Sequence, residues 1–317
     1  MEQPEIKSLP KLTGKNDVPA TLSKEIITVL LRKKMGFKGL IVSDAMVMGG
    51  IADKYGDRQA AVEGVKAGLD ILLFFKDPIE AVEGIYTAVI KGEISEKRID
   101  TSVKRILKAK YDMKLHKKKY VDIDNLSKIL SKQKHIKVAE DIAKNSVTLL
   151  RDTKKMIPLK SENKYYILRI SDSYLPKDGW HFKNRIIDEI KIKKEFYLNK
   201  RSNEIDIENV ASTIEDGANL IVPAFIYIGA WKGKSAIPEK IVNLLQKLHK
   251  KGANLMVISF ANPYIIRDIP FVSGYMCGYY STRELEQTAA DILLGKLKAK
   301  GKLSITIPGL SEYGDSL

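Results

Sequence analysis

The sequence predicts an α/β fold in two successive parts, and three observations predict it. Apolar runs alternate with amphipathic helical stretches along almost the whole chain. The runs are continuously apolar, as expected of parallel strands covered on both faces. The alternation breaks once, near residue 115, at the polar stretch HKKKYVDIDNLSKILSKQKH. A chain of 317 residues with 44% hydrophobic content can bury one large core or two ordinary ones. The expected division is residues 1–115, a linker over 116–134 containing a short helix, and a second part over 135–317.

In the first part, Thr21 and Ser23 can cap a helix running to about Met35. The strand FKGLIVSD follows, then a loop and a helix around DRQAAVEGVKAG that Gly68 ends. LDILLFF is the second strand. Pro78, at the first-turn position proline tolerates, opens the helix AVEGIYTAVIKG, and Gly92 stops it. After Ser95 comes a long amphipathic helix whose expected buried stripe is Ile99, Val103, Ile106 and Leu107. In the second part, VAEDIAKNSVTLLRD reads as helix then strand. KYYILRIS, KEFYLN, ANLIVPAFIY, NLMVISFA and VSGYMCGYY read as five further strands. Helices interleave at HFKNRIIDEI, IPEKIVNLLQKLHKKG and TRELEQTAADILLG, the pattern of a doubly wound, mostly parallel sheet.

Composition excludes several function classes. The net charge of +15 is spread over lysines in nearly every helix and is not gathered on one aromatic-studded face, so no nucleic-acid partner is expected. His116, His135, His181 and His249 sit among charges without metal-ligand spacing and read as surface residues; neither metal nor cofactor is expected. Cys277 is the lone cysteine, which excludes an internal disulfide and reads as a buried strand thiol. No apolar run approaches the roughly 20 residues of a membrane span. The opening MEQPEIKSLPKL lacks a secretion-type apolar core, so the chain as written is expected in the cytoplasm. A longer, exported parent is the alternative.

GFKGLIVSDAMVMGG, residues 36–50, is the stretch that points to chemistry. In parallel α/β folds the carboxyl end of a strand opens onto the ligand crevice, and Asp44 stands there. The competing reading is a turn or helix-cap aspartate.

Around Asp44 the residues resemble a known family. PATLS at 19–23, GFKGLIVSDAM, GGIADKYG, AAVEGVKAGLDILLF and ISEKRIDTSVKRILKAK are similar to the C-terminal part of the barrel of glycoside hydrolase family 3. AEDIAKNSVTLLRD, IPLK, YIGAWKGKSAIP, VISFANPYIIRDIP and KLSITIPG resemble that family's flavodoxin-like α/β sandwich domain, so the likeness runs from residue 17 to 309. It implies a remnant of a (β/α)8 barrel over 1–115 and the sandwich over 135–317. It also implies that Asp44, the aspartate of SDA, is the nucleophile of a retaining glycosidase. Such an enzyme needs a second carboxyl or other acid about 5 Å away to protonate the leaving oxygen. Ser43 and the backbone amides of the glycine-containing loop are expected to keep Asp44 ionised, and Ser43, Met46 and Trp231 are weaker candidates for contact with the sugar. SDA followed by methionine looks like the β-N-acetylglucosaminidases that trim peptidoglycan fragments. β-Glucosidases usually carry tryptophan there and remain the alternative.

The departures matter equally. Enzymes of this type take their acid from a histidine loop resembling KHFPGHGDT, which precedes PATLS, and no such segment is present. Residues 1–115 supply two convincing strands where a closed barrel needs eight. Three readings follow: the downstream piece of an interrupted gene, a chain whose front has been removed, or a carbohydrate-binding module that has lost catalysis. Under the first two, a chain supplying the missing barrel half is an expected partner beside the carbohydrate substrate. If no such chain exists, Asp53 or Asp57 in ADKYGD would have to take the histidine's place.

Overall fold

The computed structural model describes residues 18–173, 178–228 and 236–317. The chain divides into two compact units, with the boundary between Ile123 and Asp124. The fold is α/β, with a mostly parallel sheet.

In the first unit Ser23 is the cap, its hydroxyl accepting the Ile26 amide at 3.3 Å. The helix it opens, α1 (Glu25–Lys34), is wound more widely than an α-helix; the Met35 amide reaches back five residues to Leu30. Strand β1 is Val42–Ala45, shorter than expected and shifted toward its carboxyl end. Helix α2 (Gly49–Ala67) begins earlier than expected, so the stretch anticipated as a loop is largely helical. Gly56, at φ 67°, kinks it. Strand β2 (Ile71–Leu73) pairs with β1 in parallel, and the two form a sheet of their own. Asp77 caps α3 (Pro78–Ile90) by accepting the Ile79 and Glu80 amides, and Ser95 caps α4 (Glu96–Asp112).

Helix α4 follows the sequence expectation at Ile99, which packs against Val65, Ala88 and Ile94, and departs from it further along. Val103 and Leu107 are 44% and 58% exposed, whereas Ser102 is buried and Arg98 and Arg105 point inward. The cause is Asp70, the residue before β2. One carboxylate oxygen accepts from Ser102 at 2.5 Å and Arg105 at 3.0 Å; the other accepts from the Ile41 amide and Arg32. Burial pushes the Asp70 carboxyl up, but hydrogen bonds from Ser102, Ile41 and Arg105 and the charge of Arg32 outweigh it and hold it below the usual range. A buried carboxylate left without these donors would be costly, so the helix buries its polar side.

In the second unit a short helix, α5 (Leu126–Ile129), precedes α6 (Gln133–Ser146). The six strands are β3 (Thr148–Asp152), β4 (Tyr165–Ser171), β5 (Ile192–Leu198), β6 (Asn219–Phe225), β7 (Asn254–Ser259) and β8 (Gly274–Cys277). Their order is β3-β8-β7-β6-β4-β5, parallel throughout except for the antiparallel edge strand β3. Alternation along β4 sends Tyr166, Leu168 and Ile170 into one core, with α8 (Glu204–Thr213) and α9 (Glu239–Lys250). Tyr165 and Ile167 enter the other, with α7 (Trp180–Ile187) and α10 (Arg283–Leu293). Helix α8 is absent from the sequence expectation. Its signal is a capping box in which Asn203 and Asp206 bond each other's backbone amides at 3.0 and 2.8 Å. Cys277 is buried in β8, which pushes its thiol up to about 12. Of the histidines, His116, His135 and His249 are exposed, but His181 is half-buried beside Trp180. Among the described residues no helix is long and apolar enough to cross a membrane.

Candidate active site

The candidate site forms where β1 ends. Asp44 is exposed near the carboxyl end of that strand, and its Oδ1 accepts the Ala45 amide at 2.7 Å.

Its neighbours correct the sequence expectation. A strand turns successive side chains to opposite faces, so Ser43 lies on the covered side, 6% exposed. Its hydroxyl accepts the Leu73 amide at 2.9 Å, tying β1 to β2 rather than steadying Asp44 or meeting a sugar. Met46 is fully buried among Leu22, Ile51, Ala60 and the flanking Tyr55, Leu72 and Phe75. It is core, because the chain turns immediately after Ala45 and the Met46 amide bonds back to the Leu73 carbonyl at 2.8 Å. Trp231 lies outside the described residues.

Two further carboxylates follow on α2. Asp57 is occupied, its Oδ2 accepting the Asp77 amide at 2.5 Å just before α3. Asp53 folds back over Gly49; a Cβ there would lie 2.9 Å from its Oδ2, so glycine makes room for the carboxylate. At the other end of the β1–β2 pair, beside Ile41 and Asp70, stands the buried arginine cluster. Its partners are all internal, which marks it as an anchor for the strands.

The second unit holds a polar group that the sequence reading missed, where β4 and β6 meet at the reversal of strand order. Ser171 donates to Asp178 at 2.6 Å and the Tyr227 hydroxyl to the same carboxylate at 3.4 Å. Burial, followed by the charge of Asp178, pushes Tyr227 up to about 12. Glu286 accepts the His181 and Phe182 amides at 3.0 and 3.1 Å and the Ser281 hydroxyl at 2.6 Å, seating α10 on the first turn of α7. Nothing in TRELEQ marks its second glutamate, Glu286, as buried, because a glutamate in the first turn of a helix is ordinarily a solvated favourable charge.

Residues 7–109 match the glycosyl hydrolase family 3 N terminal domain. Over 92% of its length the chain is 25% identical to a β-N-acetylglucosaminidase/β-glucosidase of Cellulomonas fimi, of which it covers 53%. It is 23% identical over 95% of its length to β-glucosidase C of Emericella nidulans, covering 47% of that protein. The structure of a family 3 β-N-acetylglucosaminidase from Paenibacillus sp. superposes with a TM-score of 0.74 at 25% identity, covering 94% of this chain and 56% of that one. The chain thus spans about half the length of the curated relatives it matches.

Proposed function

We propose that the chain is a member of glycoside hydrolase family 3 and that it carries the nucleophile half of a retaining glycosidase acting on terminal β-N-acetylglucosaminides. The family match over residues 7–109 and the likeness to family 3 relatives support the reading. Asp44 is the nucleophile. The observation that carries this reading is the placement of Asp44: an accessible carboxylate at the carboxyl end of a parallel strand, with one oxygen bonded to the Ala45 amide.

In such a reaction Asp44 attacks the anomeric carbon while an acid protonates the departing oxygen, and water then releases the sugar from the aspartyl ester. Residues 18–115 supply the attacking group. Asp57 is committed to the Asp77 amide, and the proposed acid comes from a β/α segment that completes the barrel of which residues 1–115 form the C-terminal portion. The native glycan on this reading is a peptidoglycan fragment or a related chain. β-Glucosides are the second substrate class, favoured by the double name of the Cellulomonas fimi relative.

The test is a chromogenic aryl β-N-acetylglucosaminide and the matching β-glucoside, given to the chain alone and mixed with the segment of the Cellulomonas fimi relative that it does not match. A positioned acid is worth about 10²–10⁴-fold, so turnover is expected only in the mixture, and the Asp44→Ala chain should show none. Turnover that survives Asp44→Ala would overturn the assignment. A mixture that binds sugar without cleaving it would show a binding module instead.

A further inference from the structure

At the amino end of the six-stranded sheet, opposite the reversal of strand order, three adjacent parallel strands begin in register. Tyr165 of β4 pairs with Asn219 of β6, and Asn219 with Asn254 of β7. Side chains in one row across a parallel sheet share a face, and this face is the one whose core holds Tyr165, Ile167, Ile221 and Met256. Two asparagines thus stand at the rim of that core. Asn254 donates to the Asn219 oxygen at 3.0 Å, so the pair uses the acceptor of Asn219 and leaves its amide group as a donor.

The loop from β3 to β4 meets this row. Asp152 holds its start by accepting the Met156 amide at 2.8 Å and the Ile157 amide at 3.1 Å, and Met156 is buried in the same core. The fold-back places Lys155 at φ 50°, in the left-handed region, which a side chain of this kind enters at a cost. The Tyr165 hydroxyl accepts the Lys160 amide at 2.9 Å and fixes the loop further along. Between loop and strands lies a cavity of about 320 Å³, around which stand Lys154, Lys155 and Lys160 with Asn163, Asn219 and Asn254. Its charge is one-sided. Residues 153–164 carry four lysines and one glutamate, and that glutamate, Glu162, is exposed and is not among the lining residues. The acids of the neighbouring turns are committed: Asp152 to its two amides, Glu215 to Lys193 and Asp216 to Lys251. A concave site walled by charge of one sign focuses its potential and concentrates the counter-ion.

We infer that this cavity is a binding site for a phosphate group, free or carried as the monoester of a small molecule. The donor set selects phosphate among anions. Lysine heads are compact point charges that suit a tetrahedral oxyanion, whereas a planar carboxylate is matched by the fork of arginine, and among the described residues no arginine lines the cavity. A phosphate monoester carries about −1.5 to −2 charges at pH 7, so it takes more than one lysine to neutralise it. The volume lies at the small end of ligand sites, which span about 300–1,000 Å³, and leaves room for the group with a small carrier. The site belongs to the second unit alone, so the inference stands apart from the role of Asp44.

The full chain is titrated by calorimetry with inorganic phosphate, glucose 6-phosphate, N-acetylglucosamine 6-phosphate and acetate, each at one ionic strength set with chloride. The phosphate-bearing probes should bind one to one and raise the melting temperature, because they bind the folded state. Lys155→Ala and Lys160→Ala should each weaken binding about tenfold or more, since each removes a charge-assisted bond. Both lysines are exposed, so without phosphate the variants should melt as the parent does. Lys137→Ala on α6 removes the same charge elsewhere on the second unit and should bind unchanged. Asp44→Ala should also bind unchanged, which keeps this site separate from the one at β1. Tighter binding of an ester than of inorganic phosphate would identify a phosphorylated small molecule as the occupant, and the reverse order the free ion. No binding at millimolar phosphate, acetate binding as tightly as phosphate, or equal losses in Lys137→Ala and Lys155→Ala would each overturn the inference. The last result would mean diffuse attraction to a chain of net charge +15.

Discussion

Asp44 and Asp70 show how one residue type takes two roles from its surroundings. Asp44 is exposed beyond the strand's covered side, whereas the Asp70 side chain is sealed, with every donor around it supplied by the protein. The sign of the Asp70 shift fixes its pH dependence. Its folded pKa is depressed, so its stabilising contribution is present above the unfolded value of about 3.9 and is lost as pH falls through the folded one. Asp70→Ala would strand Arg32 and Arg105 without their anion, and losses from breaking buried pairs run to about 3–5 kcal/mol. Chemical denaturation at pH 7 should show a loss of that order. At a pH below the folded value the gap between parent and variant should shrink; a gap that widened on acidification would mean that Asp70 is not the charged centre of the cluster. Ser43→Ala is smaller in kind. It removes the acceptor of the Leu73 amide and should cost about 1–3 kcal/mol in the same measurement, with the protein otherwise folded.

Helix packing in the first unit turns on the contact between α2 and α3. Gly84 is there because α3 must approach the Arg58 backbone, and a branched side chain at that point would have to push the helices apart. Gly84→Val should therefore destabilise the protein by about 1–3 kcal/mol, read as a lower melting temperature; a rise would show that the helices can separate freely. Most elements were legible in the sequence, because glycine and proline punctuate them: Pro78 at the start of α3, Gly68 past the end of α2 and Ser95 at the cap of α4 all stand where the chain rules place them. The orientation of α4 was not legible. Periodicity reports that a helix has an apolar stripe but not what it faces, and the carboxylate buried at Asp70 drew Ser102 and Arg105 inward while Val103 and Leu107 were left exposed. The candidate site divides in the same way. The accessibility of Asp44 followed from its place at a strand's end, while Ser43 and Met46 were misjudged because the strand proved shorter and its turn tighter than the apolar run suggested.

Across the whole molecule, the two compact units differ in how complete their cores are. The six-stranded sheet has helices on both faces, and its central strands are almost wholly buried; the two-stranded sheet leaves Val42 46% and Phe74 73% exposed. Across the boundary, Leu115 to Leu130 forms a turn, a single 3-10 turn at Ile123–Asn125 and the four-residue α5, and Lys117, Lys118, Lys119 and Lys128 are exposed. Proteases cleave where backbone is exposed and loosely held, since the segment must open locally to enter the enzyme. Brief digestion with trypsin should therefore cut first between Leu115 and Lys134 and leave a resistant fragment containing α6 through α10. That fragment should unfold in one cooperative transition, because both faces of its sheet are filled without help from the first unit. The N-terminal fragment should be degraded faster, its core being shared among three small clusters around Met46, Ile41 and Val65. If the first cuts fell inside β6 or β7, or if the C-terminal fragment melted over a broad range, the six-stranded sheet would depend on the first unit for its stability.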